Sequence, residues 1–167
     1  MVPLFTGLTL VNLMCLATAA AIGYLSPYEP GLRSWHVLAG VLATLTCCAV
    51  HCIVFTYFMA TAKWVQHAVA VKHLDPAMAT PTRSFRAQAF PAALFAIAIV
   101  FLTAILGAAH DNYATPRLWH HSAAVACLVV NGIVAWIEYR AIARNGKLID
   151  DVLESIRARD LSAANPV

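Results

Sequence analysis

Four long apolar runs dominate the chain, at residues 4–25, 35–62, 90–109 and 119–139. Each reaches the length of about 20 residues that a helix needs to cross the hydrocarbon of a bilayer. None holds a Lys or Arg, and Glu138, near the end of the fourth, is the one acid in them. Lipid satisfies no open backbone group, so a spanning segment must be a helix or part of a closed barrel. Ala, Leu and Val fill the runs without a period of two, which argues against a barrel. The pattern predicts an all-α integral membrane four-helix bundle over residues 1–145. Residues 146–167 are expected to form an amphipathic tail outside it.

The connections sharpen this. Residues 26–34 carry Pro27 and Pro30 and read as a tight link. Residues 64–74 are expected to continue the second helix until Asp75-Pro76 stops it. Pro81, Thr82 and Ser84 then supply turn and N-cap chemistry for the third. Asn145-Gly146 is expected to break the fourth helix. Beyond it, Leu148, Ile149, Val152, Leu153 and Ile156 share one face, with Asp150, Asp151, Glu154 and Arg157 opposite. That predicts a short amphipathic helix for a membrane surface or a partner.

Composition excludes a soluble domain. Of 167 residues, 61% are hydrophobic and 11% charged, against about a quarter charged in soluble proteins. The loops and tails are too short for a separate domain. The net charge of +3 reflects where the basic residues lie. Lys63, Lys72, Arg83 and Arg86 follow the second run, and Arg140, Arg144, Lys147, Arg157 and Arg159 follow the fourth. The other two loops hold only Arg33 and Arg117. The positive-inside rule therefore predicts cytoplasmic N- and C-termini in an inner membrane. The N-terminus lacks a basic n-region, so the first run is expected to be a retained helix. No basic patch with interleaved aromatics suggests nucleic acid, which leaves the lipid bilayer and other membrane subunits as partners.

The two halves look related. Arg33-Ser34-Trp35-His36 opens the second run and Arg117-Leu118-Trp119-His120 the fourth. Tyr28 and Pro30 precede one, Tyr113 and Pro116 the other. A duplicated hairpin implies a pseudo-twofold axis along the membrane normal. Interfacial anchoring by Trp and Arg gives the same pattern without duplication.

Chemistry centres on seven histidines, because ionisable groups inside a membrane are costly and mark function. His36, His110, His120 and His121 lie at one set of helix ends, and His51 near the midplane. His67 and His73 lie on the other side and are expected to be solvated. In a cyclic bundle the second and fourth helices are diagonal neighbours. His36 and His120 then face each other at one depth, as two axial ligands of one haem would. His36, Gly40, Ala43 and Cys47 share a helix face, as do His120, Ala124, Cys127 and Asn131. The small residues leave room for a flat macrocycle. Arg33 and Arg117 sit where propionates would emerge, and a guanidinium suits a carboxylate. His51 follows His36 on roughly one face, about 22 Å along the axis.

In these residues — His36, His51, His120, Gly40 and the two arginines — the chain resembles cytochrome b and related quinone-linked haem subunits. The resemblance covers the second and fourth helices only. It implies haem b as cofactor, held by His36 with His120 or His121, and a role in electron transfer. That role would belong to a subunit of a larger inner-membrane redox complex, with a quinone as a possible partner and no enzyme activity of its own. The pattern departs from the family at Ala135, where the second histidine of an inner pair is missing. One haem at most is implied.

Other readings stay open. The helix-end histidines also suit interfacial anchoring, in a non-catalytic accessory subunit. His36, His110, Asp111, His120 and His121 suit copper or zinc, in a copper-handling protein. The metal candidates are thus His36, His120, His51 and His110. Cys47, Cys48, His51 and Cys52, with Cys15 and Cys127 at similar depth, suit Cu(I) or plain packing. All five cysteines lie inside spans, which argues against disulfides, and no C-x-x-C-H attaches haem covalently. No hydrolase, nucleotide or phosphate motif is present, and one intramembrane carboxylate excludes a di-metal carboxylate site. Asn12, His51 and Asn131 are expected to hydrogen-bond across the bundle. Glu138 is expected to pair with Arg140 or headgroup water, with a proton path as the alternative. Gly7, Gly23 and Gly107 read as packing positions.

Overall fold

The computed structural model describes residues 1–113 and 115–164. Four helices account for nearly all of them: α1 (Val2–Leu25), α2 (Leu32–Val71), α3 (Pro81–Tyr113) and α4 (Arg117–Ala164). A 3-10 turn at Pro76–Ala79 joins α2 to α3, and the described residues include no strand. All four helices are long and apolar enough to cross a membrane. This is the all-α membrane bundle that the apolar runs predict.

Each helix packs on its chain neighbours, and α1 closes the ring against α4. That leaves α2 and α4 across the diagonal. The exposed faces are large and apolar, with Leu38, Leu45, Ile105, Val129 and Trp136 among them. The buried faces are small. Ala89, Ala93 and Ala96 of α3 are each 0% exposed. Lipid tails are as apolar as leucine, so close backbone approach through small residues drives such packing.

The two short loops lie at one end of the bundle, here called the loop end. The termini and the α2–α3 connection lie at the other, the terminal end. By a rise of 1.5 Å per residue, α2 is about 60 Å long and α4 about 72 Å, twice the roughly 30 Å of hydrocarbon. The surplus projects at the terminal end. There Val65, Val69 and Val152 are buried together, flanked by Leu74, Met78, Leu148, Ile149 and Ile156. Lys72 Nζ reaches Asp160 at 2.8 Å, and Arg159 Nη1 donates to the His73 carbonyl at 2.6 Å. α2 ends at Val71, short of the expected 74: His73 takes φ 49° and the Leu74 N–H donates to the Val69 carbonyl at 2.9 Å, a helix stop ahead of Asp75-Pro76. The Asp75 carboxylate then caps the 3-10 turn by accepting from the Ala77 N–H.

The expected break at Asn145-Gly146 is corrected. The fourth helix runs through both residues, so positions 146–164 are its continuation and not a separate amphipathic helix. Their apolar stripe is spent against the end of α2. Asn145 does not cap anything. Its Nδ2 donates across the bundle to Tyr57 Oη and Thr61 Oγ1, each at 3.0 Å. Tertiary contacts here override local propensity. Gly146 sits in ordinary helix, and an added Cβ meets nothing within 4 Å. Gly146→Ala should therefore raise stability by about 1 kcal/mol, read as a higher melting temperature in detergent. A C-capping glycine would give a loss instead.

The repeated pattern has a geometric counterpart. Thr61 and Asn145, and likewise Cys47 and Asn131, are 84 residues apart and bonded to each other. The same shift carries His36 onto His120, Arg33 onto Arg117, Trp35 onto Trp119 and Gly23 onto Gly107. Equivalent residues meet across the diagonal at three depths, as a twofold axis along the bundle requires.

Candidate functional site

At the loop end, α2 and α4 each present a histidine near their first turn. His36 Nδ1 lies 3.0 Å from the Ala19 carbonyl of α1, and His120 Nδ1 lies 3.0 Å from the Thr103 carbonyl of α3. Both bonds join residues 17 apart in sequence. A carbonyl only accepts, so each Nδ1 carries the hydrogen and its ring is held by the neighbouring helix. A metal-binding histidine is commonly oriented in this way.

Four residues after each carbonyl comes a glycine, Gly23 or Gly107. A Cβ at Gly23 would stand 2.6 Å from His36 Cε1, and one at Gly107 would stand 2.9 Å from His120 Cε1. Real Cβ atoms essentially never approach another heavy atom this closely, so each ring would have to shift. Only glycine lets each ring lie against the neighbouring helix and reach its carbonyl. These two residues, read from the sequence as packing positions, are the seats of the histidines. The 84-residue shift pairs them, and that is the signal that could have found them. Gly40 lines the cavity, but a Cβ there meets nothing within 4 Å.

The two rings face each other across the diagonal. Their centroids are 5.9 Å apart and their planes are inclined at 70°. They border a cavity of about 890 Å³ with Ala43, Thr44, Ala124 and Cys127 in its wall and Arg33 and Arg117 also lining it. Cofactor pockets run to about 300–1,000 Å³.

His121 is placed differently. Its Nε2 accepts from Arg117 Nε at 3.1 Å, and its ring packs edge-on to Tyr24 at 4.4 Å. His110 is tied by Nδ1 to the Thr115 carbonyl at 2.6 Å. Both line the cavity. Among the described residues no three His, Cys, Asp or Glu side chains gather as metal ligands. The Asp111 side chain lies outside the described residues.

The midplane network differs from the expectation. Asn12 Nδ2 donates to Asn131 Oδ1 at 3.3 Å, and Cys47 Sγ donates to the same oxygen at 3.4 Å. His51 is not part of this group. Its Nδ1 bonds Glu138 Oε1 at 2.8 Å, with side chains only 3% and 1% exposed. Glu138 is thus buried against His51 and does not pair with Arg140. The signal was present: 18 residues separate Glu138 from His120, five full helical turns, which puts both on one face. Of the remaining thiols, Cys48 is half-buried and Cys52 exposed, and all five cysteines are free.

Comparison with protein-family models, with curated proteins and with solved structures finds no match to this chain.

Proposed function

We propose that the chain is a single-haem, b-type electron-transfer subunit of a larger membrane redox complex. One observation carries the reading. Two histidines on diagonal helices face each other across a cofactor-sized cavity, each with Nδ1 held by a backbone carbonyl. The fit to an iron porphyrin is good in three respects. An imidazole nitrogen binds a metal at about 2.0–2.1 Å, so two imidazoles on opposite sides of one metal hold their ring centres roughly 6 Å apart. The His36 and His120 ring centres lie 5.9 Å apart, a separation compatible with that reading. The glycine seats let both rings sit close to the neighbouring helices. Two arginines line the cavity, which suits the propionates.

Haem would supply one-electron transfer when bound. His36 and His120 would hold its iron, with the Ala19 and Thr103 carbonyls orienting their rings. Arg33 and Arg117 would offset the propionate charge, and Arg117 is itself bonded to His121. The basic residues at the terminal end support an orientation in which the histidine end faces the periplasmic side of an inner membrane, where it would exchange electrons with a carrier, a quinone or a partner subunit.

A reduced-minus-oxidised optical spectrum of the purified protein tests this. A Soret band and its reduced shift are expected, lost when His36→Ala and His120→Ala are combined and retained in His121→Ala. Absence of the band, or its survival in the double variant, overturns the proposal. Iron-free protein that still purifies in a stable complex would point to the accessory role instead.

A further inference from the structure

The haem proposal leaves one buried titratable pair unused. His51 and Glu138 lie below the cavity, whose lining does not include them. Their bond uses one atom of each side chain. His51 Nε2 and Glu138 Oε2 are both buried with no hydrogen-bond partner among the described residues. Buried polar atoms are almost always bonded, so such a pair needs a reason.

The surroundings give it one. A polar column leads from the cavity towards the pair. Cys127 lines the cavity and its Sγ accepts from Asn131 Nδ2 at 3.5 Å. Asn131 Oδ1 accepts from Asn12 and from Cys47. Cys47 is one helical turn above His51. Asn12 Oδ1 and Thr9 Oγ1 are also buried without partners. On the other side the column stops. Val54, Phe58 and Ile142 are each 1% exposed and form an apolar layer with Phe5 and Phe85. Only beyond that layer do Tyr57, Thr61 and Asn145 resume polar contact.

We propose that the His51–Glu138 pair is a proton-binding site, loaded from the cavity through the Cys127–Asn131–Cys47 column and sealed from the terminal end by the Val54–Phe58–Ile142 layer. Loading moves one proton from hydronium at the cavity onto the pair and leaves water behind. One O–H or N–H bond forms, one O–H bond of hydronium breaks, and no electron moves. The pair's net charge rises from minus one to zero. A single charge in an apolar interior is costly, so the loaded, neutral pair is the resting state.

The neighbouring groups leave release within reach. At this depth α1 brings only the neutral Thr9 and Asn12. On α2 the thiols of Cys47, Cys48 and Cys52 are adjacent. α3 brings Arg86, next to the Phe85 that packs in the same layer, and its Nε is also buried without a hydrogen-bond partner among the described residues. On α4, Tyr139 and Arg140 follow Glu138 and are exposed. The site does not depend on the haem proposal, and its test needs no cofactor.

Infrared titration of the full-length protein in nanodiscs reads the Glu138 carboxyl directly. A protonated-carboxyl C=O band is expected that fades as pH rises, shifts in D2O and vanishes in Glu138→Gln. Asn131→Leu should keep the band and slow its D2O shift roughly tenfold or more. A band untouched by Glu138→Gln, or constant across the titration, overturns the site. An unchanged exchange rate in Asn131→Leu overturns the route. Should Asn131→Leu fail to fold, Cys127→Leu blocks the same column. Should Glu138→Gln fail, His51→Gln must displace the titration midpoint, and an unmoved midpoint counts against the pair.

Discussion

Gly23→Val is expected to remove the haem spectrum as completely as loss of His36 itself, and Gly107→Val to do the same through His120. The argument rests on distance. A single Cβ at Gly23 already falls 2.6 Å from His36 Cε1, well inside contact. Histidine has two side-chain torsions and cannot yield there without giving up the Ala19 carbonyl at 3.0 Å. The ring then turns away from its partner across the cavity. Loss of an orienting bond of this kind typically costs about 10–100-fold in metal affinity, and the branched valine also intrudes on the ring itself. Gly23→Ala should give the smaller end of that range. A second readout separates the clash from a general loss of fold. Helix propensity alone makes Gly→Ala worth about 1 kcal/mol of added stability. That gain should appear in Gly40→Ala and Gly146→Ala, where a Cβ meets nothing, and should be cancelled or reversed at Gly23 and Gly107. A Gly23→Val protein with unchanged spectrum would mean that His36 does not use this seat.

The same glycines show where the sequence was readable and where it was not. The four spans could be read because membrane solvent imposes length and polarity on every segment at once. All four lie within helices of the structure. The R-x-W-H match gave the register between halves, and equivalent residues do meet across the diagonal. What a linear pattern could not give is which residue of a neighbouring helix lies under a given ring. Gly23 and Gly107 look like any other small residue until His36 and His120 are set against them. Asn145-Gly146 failed for a related reason. Local chemistry there favours a helix end, but Tyr57 and Thr61 of α2 satisfy Asn145 in a way that only the packed bundle supplies. His51 was expected to bond Asn131, its near neighbour in depth. Asn131 is already engaged by Asn12, Cys47 and Cys127, and the pseudo-equivalent of His51 is Ala135, which offers no partner. The ring therefore reaches further along α4 to Glu138.

That asymmetric pairing carries the second large effect. His51→Leu and Glu138→Leu should each destabilise the protein by about 1–3 kcal/mol, because removing one member leaves the polar atoms of the other buried without a partner. The double variant should recover most of the loss, since an apolar pair of similar size carries no desolvation cost in this interior. The size of the coupling also reports its nature. A neutral interhelical hydrogen bond in a membrane protein contributes only about 0.6 kcal/mol on average and about 1.7 at most. A coupling near that level would describe a packing contact between an imidazole and a protonated acid. A coupling several times larger requires that charge is at stake when the pair is broken. Unfolding in graded denaturing detergent, run on the wild type, both single variants and the double, closes the cycle. Single variants as stable as the wild type would remove the pair from any account of the fold. Recovery in the double variant would show that the His51–Glu138 pair adds no net stability over an apolar pair of similar size.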